Sequence, residues 1–533
     1  MEHANTTGKS FWILVIALSV VGFLTGFFGF RTEGEGVLNS AYSTFQLFIL
    51  HHSFEGKINT CWLEWSRWII FGVFLLLTFQ LFITIVAPRF IQYAKIQFFY
   101  SDHIIICGLN KITVSLVEKY PEKQIVVLVE EANKYAETLK AKGAKLLTGD
   151  FTDPNFLRKA KLKRASKLFA IIDNDKINVK IAHSVFSCLE NRKRRKDALK
   201  CFILIKDREL KTLLEESLPF KYKTATFDGI PFNINELGIK YGIAANIDKI
   251  LPKEIKTPPE ILLIGLTEKT EMALLNLAQG LTMQRETFRF TIVEKNTRKI
   301  RFFKRKYAYI QDFAEIKISN EIKSEQQFDS VLVCSDNPIE AMKQAVAIRY
   351  LLGRNEPNIL VFCEEADTFT EVLQNELEKK RIFLINLFGQ MAGYVFELDK
   401  SIEEKAKEAH YFWNTLYNQN KEWDAMTGHF KQSNRNQILD NYLRMYMARG
   451  EKFEDFKNRL ISFSDDEKET LAMMEHRRWM IEKYDNGWML GKRDNELKRH
   501  DCLVPWEELP TGQQAKDYDV INLMIKLINN QTR

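Results

Sequence analysis

His103–Thr113, HIIICGLNKIT, is the stretch that decides how this chain is read. HIIIC is apolar on both faces, which suits a strand in the middle of a parallel sheet. The Gly-Leu-Asn-Lys-Ile-Thr after it is a turn that opens a helix. The alternation then repeats. Ile125–Val129 ends in Glu130-Glu131, Ala144–Leu147 leads into Gly149-Asp150, Leu168–Ile172 ends in Asp173-Asn174-Asp175, and Cys201–Ile205 supplies a further strand. Strands and helices alternating at this spacing predict a doubly wound parallel α/β sheet, with its ligand crevice at the strand C-terminal ends.

A nucleotide in such a crevice needs a glycine turn that presents a helix N-terminus to phosphate, and an acid for the ribose. Gly108 keeps the first glycine of that pattern. Asn110 stands at the second position, where it is expected to take a positive φ, and Thr113 at the third, where it crowds helix against strand. Glu130 is spaced for ribose hydroxyls. Gly108, Asn110, Glu130, Asp150, Asp173 and Asn174 are therefore the candidates for a nucleotide or dinucleotide. The competing reading is a Rossmann scaffold that has lost its ligand and serves as a packing module. A second, diverged copy follows: Ile261–Ile264, then Gly265-x-Thr267-x-x-Thr270, then Phe290–Val293 ending in Glu294. Its candidates are Gly265, Thr267 and Glu294, although the longer Gly265–Glu294 spacing disfavours ribose binding. The copies are expected over residues 101–250 and 251–400, with Pro252–Pro259 as linker.

HIIICGLNKI, VVLVEE, LLTGDFTD and AIIDNDKINVKIA resemble the TrkA-N domain, also called the regulator-of-potassium-conductance domain, over about Ser101–Asp228. The Gly149-Asp150 pair followed by Asp175 and Asn178 carries the likeness. The resemblance implies a regulatory domain that binds nucleotides or ions and assembles into dimers or rings acting on a membrane pore.

The first ninety residues are of a different kind. Phe11–Phe30 is twenty residues without a charge, and Trp68–Ala87 is a second such run closed by Pro88 and Arg89. At 1.5 Å per residue each covers the roughly 30 Å hydrocarbon core. The first run is longer than a signal-peptide core and is followed by a second span, so a two-span membrane unit is expected. Its parts are a cytosolic N-terminus at 1–10, spans at 11–30 and 68–88, an outer loop at 31–67, and a helical linker at 89–100. Trp12, Trp62, Trp65 and Trp68 suit the interfaces. Within the loop, residues 41–50, AYSTFQLFIL, are too short to cross and read as either a pore-type helix or an interfacial one. Gln46, His51 and His52 are the pore candidates. No TVGYG-type filter follows, so potassium selectivity is not supported.

From about Ser401 to the end, at 401–533, the chain turns helical, aromatic and basic. One block carries His410, Trp413, Trp423 and Arg435. A second, LAMMEHRRWMIEKYDNGWMLGKRDNELKRHDCLVPWEELP over Leu471–Pro510, carries His476, Trp479, Trp488, Lys498, His500 and Trp506. This block looks like the RyR domain, the repeat of ryanodine receptors and of bacterial proteins. The resemblance implies a sensor of a small, nucleotide-derived ligand. The tryptophans are the right type to stack on a planar ring, and Arg435, His476, Lys498 and His500 to meet phosphate or carbonyl oxygens. The alternative is that the tryptophans are core.

Composition sets the remaining bounds. The chain has 533 residues, 46% hydrophobic, with a net charge of +7 that is small for this length and gives no case for nucleic acid. Cys61, Cys107, Cys188, Cys201, Cys334, Cys363 and Cys502 show no CxxC spacing, which fits a reducing compartment and argues against a metal site. The basic run Arg192–Lys196 is either a solvated loop or a contact to anionic lipid. No nucleophile–base or acid–base pair stands near a strand end, so no catalytic residue is expected. The whole reads as an α-helical two-span unit, tandem Rossmann-like domains and a mainly helical RyR domain. It is expected in the inner membrane with both termini cytoplasmic, as a homo-oligomer (dimer or tetramer) because two spans cannot enclose a pore. A ligand-gated channel and a non-conducting, membrane-tethered sensor both fit this order of parts.

Overall fold

The computed structural model describes residues 2–49, 60–82, 87–190, 197–252, 258–281, 288–323, 325–335, 337–353, 357–364, 368–452 and 460–530. The chain divides into two units, Met1–Phe99 and Tyr100–Arg533. His51, His52, the basic run at 192–196 and most of the Pro252–Pro259 linker lie outside the described residues.

The N-terminal unit contains helices Glu2–Thr32, Val37–Phe48, Cys61–Leu81 and Ala87–Phe99. Two of them, over Phe11–Thr32 and Cys61–Leu81, are long and apolar enough to cross a membrane. The second of these helices begins at Cys61 rather than at 68 and is described to Leu81, and Pro88 stands in the first turn of the next described helix, where its missing N–H costs nothing. The tryptophans at 62, 65 and 68 are surface positions of this helix, each more than half exposed. The short loop helix runs from Val37 rather than from 41. Glycine sets the approach of these two helices. A Cβ on Gly26 would lie 2.7 Å from Ser66 Oγ and one on Gly29 2.7 Å from Leu63 Cγ. The Ser66 hydroxyl also donates to Gly22 O at 2.7 Å, which is small-residue packing of the kind membrane helices use.

In the larger unit the first sheet consists of β1 (Ile104–Cys107), β2 (Ile125–Val129), β3 (Lys145–Thr148), β4 (Lys167–Ala170), β5 (Leu199–Leu204) and β6 (Phe227–Phe232). The second consists of β7 (Glu260–Ile264), β8 (Arg289–Val293), β9 (Glu315–Ser319), β10 (Ser330–Cys334), β11 (Asn358–Cys363) and β12 (Ile382–Asn386). Their orders are β3-β2-β1-β4-β5-β6 and β12-β11-β10-β7-β8-β9. The second is the first read from the other edge, so each copy has the doubly wound order with its switch point beside β1 or β7. Every pairing within them is parallel. All four residues of β1 are buried, as the HIIIC run requires.

The copies exchange their closing helices. Helix Ile234–Ala245 follows β6, yet Ile239 and Ile243 enter the core of the second sheet. Helix Leu387–Glu397 follows β12, and Met391, Ala392 and Val395 enter the core of the first. Glycine permits the crossing: a Cβ on Gly238 would lie 2.8 Å from Leu387 O.

The C-terminal part adds helices Glu403–Leu416, Gly428–Arg449, Asp465–Asp485 and Thr511–Asn530. Leu443, Leu471, Met474 and Met524 share one hydrophobic core with Ile261 and Phe290, so these helices are built onto the second sheet. Asp465–Asp485 starts at a capping box between Ser464 and Glu467, with acids through its first turn.

Candidate functional site

At the first glycine turn, Gly108 has φ +122, and a Cβ there would lie 2.9 Å from Ile172 Cδ1 and 3.3 Å from Ile171 O, so glycine is required twice over. Asn110 departs from expectation. Its φ is −144, and it is the N-cap of helix Lys111–Lys119. Its Oδ1 accepts the Thr113 N–H at 3.0 Å and its Nδ2 donates to Ile171 O at 2.6 Å. Thr113 does not crowd the strand but closes the turn, its hydroxyl donating to Gly108 O at 2.9 Å. The helix end that a phosphate would use is therefore capped from within.

The other first-sheet candidates have comparable local roles. Asp150 accepts both the N–H and the hydroxyl of Thr152 at 2.7 Å, which hold its carboxyl below the usual range. Asp173 pairs with Lys206, and Asn174 caps helix Asp175–Leu189. Glu130 is exposed at the end of β2. In the second copy Gly265 has φ +75 and Thr267 Oγ1 accepts the Thr270 N–H at 3.2 Å. Glu294 turns back on its own loop, accepting from Leu266 N at 2.9 Å, Lys295 N at 2.9 Å and Asn296 N at 2.8 Å. Partial burial works against its charge, but these N–H donors outweigh it and the carboxyl is lowered.

A cavity of about 280 Å³ lies among the C-terminal helices. Helix Asp465–Asp485 contributes Glu475, His476, Arg478 and Trp479, positions three and four apart that share a face. Phe430, Ser433, Asn434 and Gln437 come from Gly428–Arg449, Trp413 from Glu403–Leu416, and Gln513, Lys516, Asp517 and Val520 from the last helix. Met489–Leu490 pairs with Arg499–His500, which brings Arg493 and His500 to the rim. The walls are aromatic. Trp479 stacks on His476 at 5.8 Å and meets His500 edge-on at 4.9 Å, while Trp413 stacks on Tyr417 at 4.9 Å.

The floor is ionic and internally paired. Arg478 donates to Glu475 from Nε at 2.8 Å and Nη2 at 2.9 Å and from Nη1 to Glu482, and Arg444, fully buried, also binds Glu475. Burial alone would raise Glu475, but the two arginines hold its carboxyl below the usual range. His476 Nε2 bonds Val504 O at 2.8 Å, and its Nδ1 faces Asp517 Oδ2 at 3.4 Å. Burial raises the Asp517 carboxyl and lowers the His500 imidazole to about 4. His500 Nδ1 accepts the Cys502 N–H at 3.1 Å, so the nearby His500, Asp501 and Cys502 do not offer three open metal ligands.

Of the nine residues expected here, the structure brings Trp413, His476, Trp479 and His500 to the cavity. Trp488 and Trp506 stand behind it, Trp506 edge-on to His476 at 5.9 Å and Trp488 tilted against His500 under the Lys483 ammonium. His410 bonds Lys421 O at 2.7 Å and packs on Trp423. Arg435 is locked to Glu403 at 2.7 Å, and Lys498 pairs with Glu216 at 3.3 Å. These last three are spent on the fold, and the cations at the cavity are Arg478, Arg493 and Lys516 instead. The spacing of Gln513, Lys516, Asp517 and Val520 on one helical face was the available signal for the last helix.

Comparison with known proteins follows this layout. Residues 104–217 match the TrkA-N domain, and residues 455–531 match the RyR domain. The RyR match supplies Glu475, His476, Trp479 and the last-helix residues, whereas Trp413 and Gly428–Arg449 lie outside it. No curated protein matches the chain. Among solved structures it is similar to the GsuK channel, at 15% identity and a TM-score of 0.38 over 72% of this chain and 96% of that one. It is also similar to the human SLO3 gating ring, at 10% identity and a TM-score of 0.39 over 57% and 84%.

Proposed function

We propose that the chain is one subunit of a homo-oligomeric, ligand-gated, channel-like membrane protein. The Rossmann and RyR regions act on the cytosolic side, and the ligand is a small nucleotide. The observation that carries the pore is helix Val37–Phe48. It turns back along the first span, with Phe45 5.1 Å from Phe23 and Thr44 against Gly26. Its buried face holds Ser40, Ser43, Thr44 and Leu47, while Leu38, Tyr42 and Ile49 are 85%, 66% and 75% exposed. Polar inside and apolar outside suits lipid or a second copy, not water. A plain anchor has no use for a helix that enters beside the spans without crossing, whereas a pore does. That favours a pore-type helix over an interfacial one.

The cavity supports the ligand class. Aromatic walls fit a planar base, and Arg493 and Lys516 fit phosphate. At about 280 Å³ it stands at the lower end of ligand pockets, which run from roughly 300 Å³ upward. It suits one base with its ribose phosphate better than a dinucleotide. Binding to one conformation of the cytosolic assembly better than another would shift the pore.

The test is ion flux from liposomes carrying the purified full chain, with nucleoside monophosphates added to the cytosolic face. Trp479→Ala and Arg493→Ala should weaken nucleotide binding and flux together. Nucleotide binding without any flux would replace the channel with the tethered sensor.

A further inference from the structure

The ionic floor of the cavity does not end at the cavity. Beyond Glu475 and Arg478 it continues to Asp440 on helix Gly428–Arg449, whose Oδ1 pairs with Lys240 Nζ at 3.1 Å. Lys240 belongs to Ile234–Ala245, the helix exchanged between the two sheets. Asp440 and Lys240 are 1% and 7% exposed, so this pair is shielded from solvent. One link is open. Among the described residues Asp440 Oδ2 has no hydrogen-bond partner, and it lies 3.7 Å from Arg478 Nη1. A buried carboxylate oxygen without a donor is costly, so a small movement of Arg478 toward it is favourable.

The open link is held by Glu475. Its oxygens already accept from Arg478, from Arg444 and, at 3.4 Å, from Gln437 Nε2. A carboxylate has about four acceptor positions, so a new donor must displace one of these. Gln437 is the long contact, and both Gln437 and Glu475 line the cavity.

Resting on the reading of this cavity as a nucleotide site, we propose that the ligand presents the exocyclic amine of a base, as an N–H donor, to Glu475. The donor displaces Gln437 and competes with Arg478, which closes on Asp440 and so fixes, between Arg478 and Lys240, the carboxylate that holds the exchanged helix. Asp440 is a positioning residue that carries pocket occupancy to the exchanged helix.

The test uses the full chain in lipid nanodiscs, with AMP, IMP and inorganic phosphate as probes. AMP and IMP differ at the base in the amine that IMP lacks. Binding is read by calorimetry, and coupling by amide hydrogen exchange of Ile234–Ala245. AMP should slow that exchange about tenfold, the scale of one charged hydrogen bond, and IMP and phosphate should not. In Lys240→Met/Asp440→Asn, which removes both charges of the pair together, AMP should still bind but leave the exchange of this helix unchanged. Its affinity should shift by no more than the coupling factor itself. Asp440→Asn alone should act in the same direction. AMP binding that protects Asp465–Asp485 but not Ile234–Ala245 in the unmodified chain would overturn the relay and leave the nucleotide site standing. IMP keeps a ring N1–H and lacks only the amine, so equal effects of AMP and IMP would overturn the exocyclic amine as the group that engages Glu475. Failure of all three probes to bind would remove the nucleotide site, and the relay with it.

Discussion

Glu475→Gln tests the ionic floor directly. The substitution keeps the shape of the side chain and removes one buried charge. Arg478 would retain Glu482, but Arg444, a fully buried guanidinium, would lose its carboxylate and keep only Asn441 among the described residues. Breaking a buried pair from one side costs roughly 3–5 kcal/mol, because the partner stays charged out of water. At about 1.4 kcal/mol per tenfold, local opening of the surrounding helices should become more frequent by roughly two to three and a half powers of ten. A chain of several domains has no single unfolding midpoint, so the assay is amide hydrogen exchange of Asp465–Asp485 in the full chain. Adding Arg444→Met removes the stranded charge and should return exchange to within about tenfold of the original. If Glu475→Gln alone changed exchange by less than about tenfold, Arg444 would not depend on Glu475 and the paired floor would be misread.

Other perturbations report on other parts. Gly26→Leu should prevent the first three helices from packing, since even a Cβ there meets Ser66 and Thr44, and should be seen as aggregation on size-exclusion chromatography. His500 is lowered by burial from its ordinary 6.5 to about 4, so the folded state favours the neutral ring. Its contribution is present above pH 6.5 and is lost as pH falls toward 4, a pH dependence that His500→Gln should abolish in exchange of the RyR region. Trp413→Ala should lower nucleotide affinity measured by calorimetry, although this residue lies outside the RyR match, because it lines the same cavity. Glu403→Gln should not change that affinity but should destabilise Gly428–Arg449 through Arg435, as judged by faster exchange there.

The sheets were legible because buried parallel strands must be apolar on both faces, and HIIIC, IVVLV and SVLVC admit little else. The exchange of helices was not, since an amphipathic helix announces a buried face but not which sheet buries it. At the glycine turn the sequence marks the turn but not the conformation of Asn110. Analogy with glycine suggests a positive φ there, but a carboxamide that can cap a helix and bond Ile171 O does both from extended backbone. In the C-terminal part the Glu-His-x-x-Trp spacing put His476 and Trp479 on one face, which the structure keeps. Arg435 misled, because its partner Glu403 stands thirty-two residues away and nothing local marks it. Lys498 is held by Glu216 from the first Rossmann copy, a contact that only the tertiary fold defines.

The most direct measurement is a recording from the purified full chain in a planar bilayer, with nucleoside monophosphates applied to the cytosolic face. Ligand-gating predicts currents that appear on addition, vanish on washing, and are lost in Trp479→Ala. A silent bilayer, from folded protein shown to bind the same nucleotide, would contradict the channel and leave a tethered sensor.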